Sequence, residues 1–276
     1  MLKIRLIPVL LLKNGILVRS RNFSLHQLMG NHIDQVKRFS EWKADEIIYL
    51  DISRDSSYDL GNIDNIIGSS SSKAKVVRES KKNMIEIIKD LSKFCRVPLT
   101  IGGKIRSIED IRQRLKAGAD KVVINTAALD DPEFIKKAAR EFGSQCIVVC
   151  IDLKKISNKK EWQILKSFGK KPTELNLLKW IEKVQENGAG EILLQSVDRD
   201  GTGKGYDLDL VKFIRNHINV PCIILGGAGE FANFIDAYRA NNEISLAAAN
   251  IFHFTEQSIL NAKKFMINKN INVRMF

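Results

Sequence analysis

The chain has 276 residues, a length that suits either two average domains or one large α/β barrel. Its hydrophobic fraction of 44% can form a sizeable core, and no apolar run is long enough to span a membrane. The net charge of +12 would suit nucleic acid, but only 7% of residues are aromatic. Because lysines recur on the polar faces of predicted helices, as in Lys136-Lys137 and Lys263-Lys264, we favour a solvated basic surface that binds no nucleic acid.

Short apolar segments alternate with segments of helical periodicity along the whole chain. The apolar segments are rich in β-branched residues and leucine, and apolar and polar residues do not alternate along them. This pattern is typical of strands buried on both faces. Ser107, Asp131-Pro132 and Asp207 are helix-start signals between them. Eight strand–helix alternations predict an α/β fold, a single (β/α)8 TIM barrel over residues 1–276. The predicted strands span residues 5–12, 46–52, 97–101, 121–125, 146–152, 191–196, 221–225 and 245–248.

Two stretches depart from this compact pattern. Residues 54–75 form a long polar connection after the second strand, which we interpret as an expanded loop over the barrel mouth. Residues 155–173 follow the fifth strand, and the alternation around Trp162–Leu165 predicts a short hairpin there.

The chain also has an internal repeat. Val97-Pro98 opens a strand that ends in Gly102-Gly103, and 123 residues later Val220-Pro221 opens one that ends in Gly226-Gly227. A repeat of about half the chain predicts two duplicated half-barrels, so sites at the barrel top should occur in pairs.

Two predicted anion sites lie at the carboxyl ends of the strands, where ligands bind in this fold. Gly102-Gly103 and Gly226-Gly227 follow the third and seventh strands, and glycine lets backbone N–H groups approach an anion. Asn125-Thr126 and Ala249-Asn250 follow the fourth and eighth strands and add further donors. Glycine-rich turns also occur for tight geometry alone. The matched pair favours two phosphate sites and a small ligand phosphorylated at both ends.

The segment from Asp200 and Gly201 to Gly205 looks superficially like a nucleotide-binding loop. It lacks the spacing of a phosphate-binding loop and the closing glutamate of a calcium loop. We interpret it as a flexible loop that covers the ligand.

Asp152 is the carboxylate at the end of the predicted fifth strand, where it could act as a general acid or base. Alternatively, it could cap the following loop through backbone N–H groups. Its equivalent in the other half of the repeat is Leu11, which cannot carry a proton.

At the opposite ends of the strands, four predicted strands begin with a charged residue. Two acids and two bases there could form a salt-bridged ring that closes the barrel bottom, and the spacing alone favours a purely structural role. These residues are Arg5, Glu46, Lys121 and Glu191.

The four cysteines have no metal-ligand spacing, and three lie in or beside apolar strand candidates. We interpret them as buried, reduced thiols of a cytoplasmic protein that uses no metal or cofactor and no membrane. They are Cys95, Cys146, Cys150 and Cys222.

Six segments in order along the chain carry a more specific pattern. They are Ile124–Ala128, Phe142–Gln145, Ser196–Thr202, Gly226–Gly229, Phe252–Phe254 and Asn272–Arg274. Together they resemble the cyclase subunit family of imidazole glycerol phosphate synthase, over nearly the whole chain apart from residues 54–75.

The resemblance implies a glutaminase subunit docked on the barrel bottom, where Asp120 faces it. It also implies that ammonia passes the four charged residues, which form a gate, and crosses the barrel to a bisphosphorylated substrate at the top. Cyclisation and cleavage there give imidazole glycerol phosphate and an aminoimidazole carboxamide ribotide. The positions that match the family's substrate side are Lys13, Asn22, Asp51, Gly102, Gly103, Asn125, Thr126, Asp152, Gly201, Gly226 and Gly227.

Four positions depart from the family pattern. The family uses a pair of aspartates at the ends of strands one and five, and the first is Leu11 here. Lys104 replaces a glycine, Leu225 a polar residue and Asn250 a serine. Losing one member of such an acid–base pair typically costs about 10²–10⁴-fold in rate.

Members altered in this way accompany a second amidotransferase that amidinates sugars for surface polysaccharides such as lipopolysaccharide. Our first hypothesis is therefore a barrel subunit that passes ammonia onward to such an enzyme. One alternative is a working cyclase of histidine biosynthesis in which another residue compensates for Leu11. The other is a non-catalytic scaffold that binds a phosphorylated ligand and regulates its glutaminase.

Overall fold

Eight parallel strands close into a barrel in the computed structural model of the chain. The structure describes residues 3–21, 25–53, 58, 66–69, 83–157, 160–253 and 258–275. In chain order, the strands are β1 Leu6–Lys13, β2 Ile16–Arg21, β3 Leu25–Gly30, β4 Ile47–Asp51, β5 Ile66–Ile67, β6 Leu99–Gly102, β7 Lys121–Ile124, β8 Ile147–Lys155, β9 Trp162–Lys166, β10 Lys171–Pro172, β11 Glu191–Ser196, β12 Cys222–Leu225 and β13 Ile244–Ala248.

The barrel strands follow one another in the order β1, β4, β6, β7, β8, β11, β12 and β13. The barrel closes because β13 pairs with β1 in parallel, with Leu6 opposite Leu246 and Ile7 opposite Ala247. The predicted (β/α)8 fold is therefore confirmed. Each predicted strand agrees with an observed one to within two residues, except that β8 continues three residues further, to Lys155.

Helices connect the barrel strands and pack around the outside. They are α1 His32–Glu41, α2 Met84–Ser92, α3 Ile108–Ala117, α4 Thr126–Asp130, α5 Glu133–Phe142, α6 Leu177–Glu186, α7 Leu208–Phe213, α8 Phe231–Ala240 and α9 Ile259–Ile267. Two of the three predicted start signals act as caps: Ser107 forms a capping box at α3, and the Asp207 carboxylate accepts a hydrogen bond from Leu210 N at 3.2 Å. At the third, α5 begins after Pro132 without a side-chain cap. In the described ranges, no helix is long and apolar enough to cross a membrane.

Two hairpins rise from the barrel top on opposite sides of its mouth. The predicted one is confirmed: β9 pairs antiparallel with β8, and β10 pairs with β9. The other, β2 and β3, pairs with β1 and was not predicted. Strand β5 adds to β3 in parallel, so residues 66–67 of the predicted loop 54–75 form a short strand. The rest of that loop, apart from residues 58, 68 and 69, lies outside the described residues.

The barrel interior is apolar between its two ends. Its buried residues follow the inward-facing alternation of each strand. They include Ile7, Val9, Ile48, Val123, Val148, Cys150, Leu193, Ile223 and Ala247. Val18 of the unpredicted hairpin and Ile66 of β5 belong to the same cluster, so these strands pack over the barrel mouth.

The prediction that Lys263 lies on a solvated helix face is wrong. Its side chain is 1% exposed, and its ammonium group lies 2.8 Å from the Asp45 carboxylate and donates to the Lys43 carbonyl at 2.6 Å. Helical spacing shows which residues share a face, but here α9 turns Lys263 inward against the turn before β4.

Candidate functional site

A closed ring of ion pairs lies at the amino-terminal end of the barrel. Each member precedes an interior residue of its own strand by two positions, so its side chain faces inward. The Arg5 guanidinium lies 2.8 Å from Glu46 and also pairs with Glu191. The Lys121 ammonium lies 2.9 Å from Glu46 and 2.8 Å from Glu191. Two acids and two bases therefore meet at this end, as the strand starts predicted, and their role as a gate stays a prediction.

Two hydroxyl groups complete this layer. Ser245 Oγ accepts from Arg5 Nε at 2.9 Å, and Thr100 Oγ1 donates to Glu46 Oε1 at 2.6 Å. Neither hydroxyl was predicted from the sequence, although Ser245 stands two positions before the interior residue Ala247. Burial opposes the charge of Arg5, yet Glu191 and Glu46 keep the pKa of Arg5 above its usual value. The two carboxylates are almost completely buried, so each depends on the ring for its charge balance.

Asp120 is exposed at the same end of the barrel, next to Lys121. Its carboxylate accepts a hydrogen bond from Leu99 N at 2.8 Å, which ties the starts of β6 and β7 together. The exposed position suits a partner-facing residue, and that role stays a prediction.

Asp152 lies at the opposite end of the barrel and is 5% exposed. Since β8 continues to Lys155, this residue lies within a strand and does not cap the loop that was considered as an alternative. Its carboxylate accepts a long contact from Cys150 Sγ at 3.5 Å and a hydrogen bond from the Asn125 side chain. Burial raises the pKa of Asp152 to about 6, although both hydrogen bonds act against this shift.

Leu11 is 7% exposed and packs in the interior cluster at the end of β1. It is in register with Val18 of the hairpin on one side and with Leu50 of β4 on the other. Leu225 belongs to the same cluster. Leu11 and Leu225 therefore make their part of the barrel mouth apolar, and the buried carboxylates described at this end include Asp51, Asp152 and Asp200.

At the end of β6, the backbone is tightly constrained. A Cβ atom on Gly103 would lie 2.2 Å from the carbonyl oxygen of Asp51, and Gly103 has φ +99°. Lys104 also adopts a left-handed conformation and places its ammonium group 3.5 Å from Asp51 Oδ2 and 4.8 Å from the centre of the Tyr58 ring. Asp51 thus balances the extra charge that Lys104 brings to this end. After the neighbouring strand β7, Thr126 Oγ1 accepts a hydrogen bond from Ser167 N at 3.4 Å.

A cavity of about 440 Å³ lies at the ends of β12 and β13. A Cβ atom on Gly227 would lie 2.1 Å from the carbonyl oxygen of Gly205. Close packing is therefore enough to require glycine at this position, whether or not a ligand binds there. The cavity is lined by Arg19, Ser20, Leu25, His26, Gln27, Ile67, Asp200, Gly201, Thr202, Gly203, Leu225, Gly226, Gly227, Ala228, Gly229, Ala248, Ala249, Asn250 and Ile251. It therefore includes the predicted anion-binding segments of this half, together with part of the loop that begins at Asp200.

The unpredicted hairpin forms one wall of this cavity. Asn250 Nδ2 donates to the Ser20 carbonyl at 2.7 Å, which fastens the hairpin to the end of β13. The lining residues of β2 and β3 were not predicted as site residues, because these two strands were not predicted. Asn22, a substrate-side match, lies outside the described residues.

Comparison with known proteins agrees with this arrangement. A family model described as "Histidine biosynthesis protein" matches residues 72–258. Over 271 residues, the chain is 39% identical to imidazole glycerol phosphate synthase subunit HisF of Saccharolobus solfataricus, and the match covers 98% of both chains. The chain belongs to the HisF family. It is also 38% identical over 275 residues to HisF of Hydrogenobaculum sp. (100% of both chains) and of Caulobacter vibrioides (100% of this chain, 97% of the relative).

In this HisF-family chain, the described residues hold no group of three or more His, Cys, Asp or Glu arranged for a metal ion. All four cysteines are free thiols. Cys150 and Cys222 are buried, as expected, whereas Cys95 and Cys146 are half-buried. Burial raises the pKa of the Cys150 thiol, and the neighbouring Asp152 carboxylate raises it further.

Asp152→Asn should stabilise this HisF-family chain near pH 7. The carboxyl has a pKa of about 6 in the folded chain against 3.8 as its ordinary value. The penalty for ionising it is therefore complete above about pH 6 and disappears as the pH falls towards 4. At 1.36 kcal/mol per pH unit, removing it should raise the free energy of unfolding by up to about 3 kcal/mol.

Urea denaturation near pH 7 and near pH 4 measures this effect. The exposed Asp236 on α8 provides a matched control, because Asp236→Asn should change stability little at either pH. An equal stability of Asp152→Asn and wild type at both pH values would show that the buried carboxylate carries no such penalty.

Proposed function

We propose that this HisF-family chain is the barrel subunit of a glutamine amidotransferase assembly. It receives ammonia from a glutaminase subunit at the ring of charges and passes it through the barrel to the top. The observation that carries this proposal is the contrast between the two ends. The ring of Arg5, Glu46, Lys121 and Glu191 is complete, whereas the mouth has Leu11 where the resemblance places the first of two catalytic aspartates.

The interior suits neutral ammonia. Its side chains between the ring and Asp152 are aliphatic apart from Cys150, and an unpaired ammonium ion would lose its hydration there at a large cost. Any nitrogen that arrives as ammonium must therefore lose a proton at the ring or in the partner, so that it enters the barrel as ammonia.

The ring has to open for ammonia to pass. The Arg5 and Lys121 side chains are 26% and 20% exposed, whereas those of Glu46 and Glu191 are 2% and 5% exposed. The basic side chains are therefore the members that can swing towards a docked partner. The carboxylates would stay in place.

We infer that the ammonia serves an acceptor outside the usual cyclisation. The resemblance associates members altered at the first aspartate with sugar amidination for surface polysaccharides. Leu11 supports that reading, because it removes a proton-transfer group from the barrel mouth and puts an apolar side chain in its place. The acceptor would then be a sugar held by a third protein, a sugar amidotransferase.

The second candidate is a genuine cyclase subunit of histidine biosynthesis. It would convert phosphoribulosyl-formimino-aminoimidazole carboxamide ribotide phosphate and ammonia to imidazole glycerol phosphate and the aminoimidazole carboxamide ribotide. Identity of 38–39% to HisF proteins over nearly the whole chain favours it. So does the pKa of Asp152, about 6, because a group that titrates near neutral pH can both accept and donate protons.

The glutaminase partnership can be tested by co-expression. We expect a HisH-like glutaminase partner to co-elute with the wild-type chain in gel filtration, through the surface around Asp120. Asp120→Asn keeps an oxygen for Leu99 N but removes the charge, so it should weaken the complex roughly tenfold. Asp236→Asn, exposed on α8, should leave it unchanged. A glutaminase that never co-elutes with the wild-type chain would remove the main support for the ammonia path.

A further inference from the structure

Lys13 and His26 form a hydrogen-bonded pair at the top of the barrel. Lys13 is the last residue of β1, two positions beyond Leu11 and therefore on the same face of the strand. Its ammonium nitrogen lies 3.0 Å from Nδ1 of His26, which is on β3. His26 is 8% exposed and lines the cavity of about 440 Å³.

The pair fixes the protonation of the imidazole. A lysine ammonium group can only donate hydrogen bonds, so His26 Nδ1 must accept with its lone pair. The ring is then neutral, and its single proton is on Nε2. Because the Nδ1 lone pair faces a full positive charge, the ring is polarised and Nε2–H becomes a stronger donor.

The surroundings of His26 favour an anionic ligand. Arg19 of β2 and the Lys13 side chain bring positive charge to the hairpin wall, and Asp200 is the carboxylate among the residues that line the cavity. Across the cavity, the N–H groups of Gly227 and Asn250 donate no backbone hydrogen bond to another described residue. Donors thus approach from two walls, an arrangement that suits the tetrahedral oxygens of a phosphate group.

We propose that His26, polarised by Lys13, donates its Nε2–H to the phosphate group of a ligand in this cavity. It thereby selects a phosphate monoester over the corresponding uncharged alcohol. This inference rests on the phosphate site predicted from the sequence at the ends of β12 and β13, and it adds to that site a specificity-determining residue from the hairpin. Lys13 acts as the positioning residue, because it holds the imidazole in one tautomer.

Isothermal titration calorimetry with glycerol 3-phosphate, inorganic phosphate and glycerol tests the proposal. Both phosphate probes should bind the wild-type chain and glycerol should not. Loss of a hydrogen bond to a charged group should weaken the binding of both probes roughly tenfold in His26→Gln. His217, exposed at the end of the segment after α7, provides the control, because His217→Gln should bind as the wild type does.

A double-mutant cycle isolates the part that Lys13 plays. If Lys13 acts through His26, then Lys13→Met combined with His26→Gln should bind glycerol 3-phosphate about as weakly as His26→Gln alone. Additive losses would show that Lys13 binds the phosphate independently and would overturn its positioning role.

Nitrogen NMR of the histidine rings gives a readout that does not depend on a variant's folding. In the free wild-type chain, the His26 ring should show an unprotonated Nδ1 and a protonated Nε2, and glycerol 3-phosphate should shift its signals but not those of His217. A His26 ring that is cationic, or that glycerol 3-phosphate leaves unmoved, would overturn the proposal. If neither phosphate probe binds the wild-type chain, the proposed phosphate site itself fails. If both bind and His26→Gln binds equally well, only this inference fails.

Discussion

Leu11→Asp should convert the cyclase substrate faster than the wild-type chain, by a factor of about 10² within the 10²–10⁴ range typical of one acid–base group. Strands β1 and β8 lie opposite each other in the barrel, so the new carboxylate would stand at the same mouth as Asp152. A second carboxylate would separate the two pKa values, which assigns one group as acid and the other as base.

Leu11→Asn is the matched control, because asparagine has nearly the size of aspartate but does not ionise. Turnover with ammonium salt should increase in Leu11→Asp and stay at the wild-type level in Leu11→Asn. Since Leu225 also replaces a polar residue of the family, Leu11→Asp combined with Leu225→Ser should be at least as active as the single variant. Folded Leu11→Asp protein with no gain over Leu11→Asn, with or without Leu225→Ser, would show that the missing aspartate is not what limits cyclisation.

The same variants can be compared in a histidine auxotroph that lacks its cyclase subunit. At ordinary expression, the wild-type chain should not restore growth, and Leu11→Asp should restore it in part. Growth on the wild-type chain would promote the second candidate function over the first.

Lys121→Met should lower the free energy of unfolding by about 3 kcal/mol near pH 7. It leaves two buried carboxylates sharing Arg5 as the remaining base of the ring, so the ring carries one uncompensated negative charge. Urea denaturation near pH 7 measures the change.

A charge-matched double variant distinguishes the effect of the ring's net charge from the effect of losing the Lys121 side chain. Lys121→Met combined with Glu191→Gln removes one charge of each sign and should recover most of the stability at pH 7. With a glutaminase partner present, Lys121→Met should also release more ammonia to solvent per glutamine hydrolysed. A single variant that is as stable as wild type and keeps glutamine hydrolysis coupled to ammonia use would rule out the ring as both a structural and a functional element.

The barrel could be predicted from the sequence because parallel strands buried on both faces appear as continuous runs of β-branched residues and leucine. The charged ring could be predicted for a related reason, since Arg5, Glu46, Lys121 and Glu191 begin such runs. Lys263 was placed wrongly because its neighbours in sequence do not reveal that α9 packs against Asp45. Tertiary contacts, which periodicity does not contain, decided that position.

The wall of the candidate site that carries Arg19 and His26 could not be predicted. Polar residues such as Ser20 and Gln27 face the cavity, so β2 and β3 lack the clean alternation of a strand with one solvated face. The positions of the glycines in the anion-binding segments were predicted from the sequence. Gly103 and Gly227, however, lie so close to neighbouring backbone that packing is enough to explain why glycine is needed there. Ligand binding therefore needs the independent evidence of a titration.

The most direct test of the central claim is the steady-state turnover of the cyclase substrate by the purified wild-type chain, with saturating ammonium salt and no partner. A HisF subunit that carries both aspartates should be assayed in parallel. We expect a rate at least about 10²-fold below that reference, because Asp152 has only Leu11 at the partner position. A rate within a few-fold of the reference would contradict it and would make this chain a working cyclase.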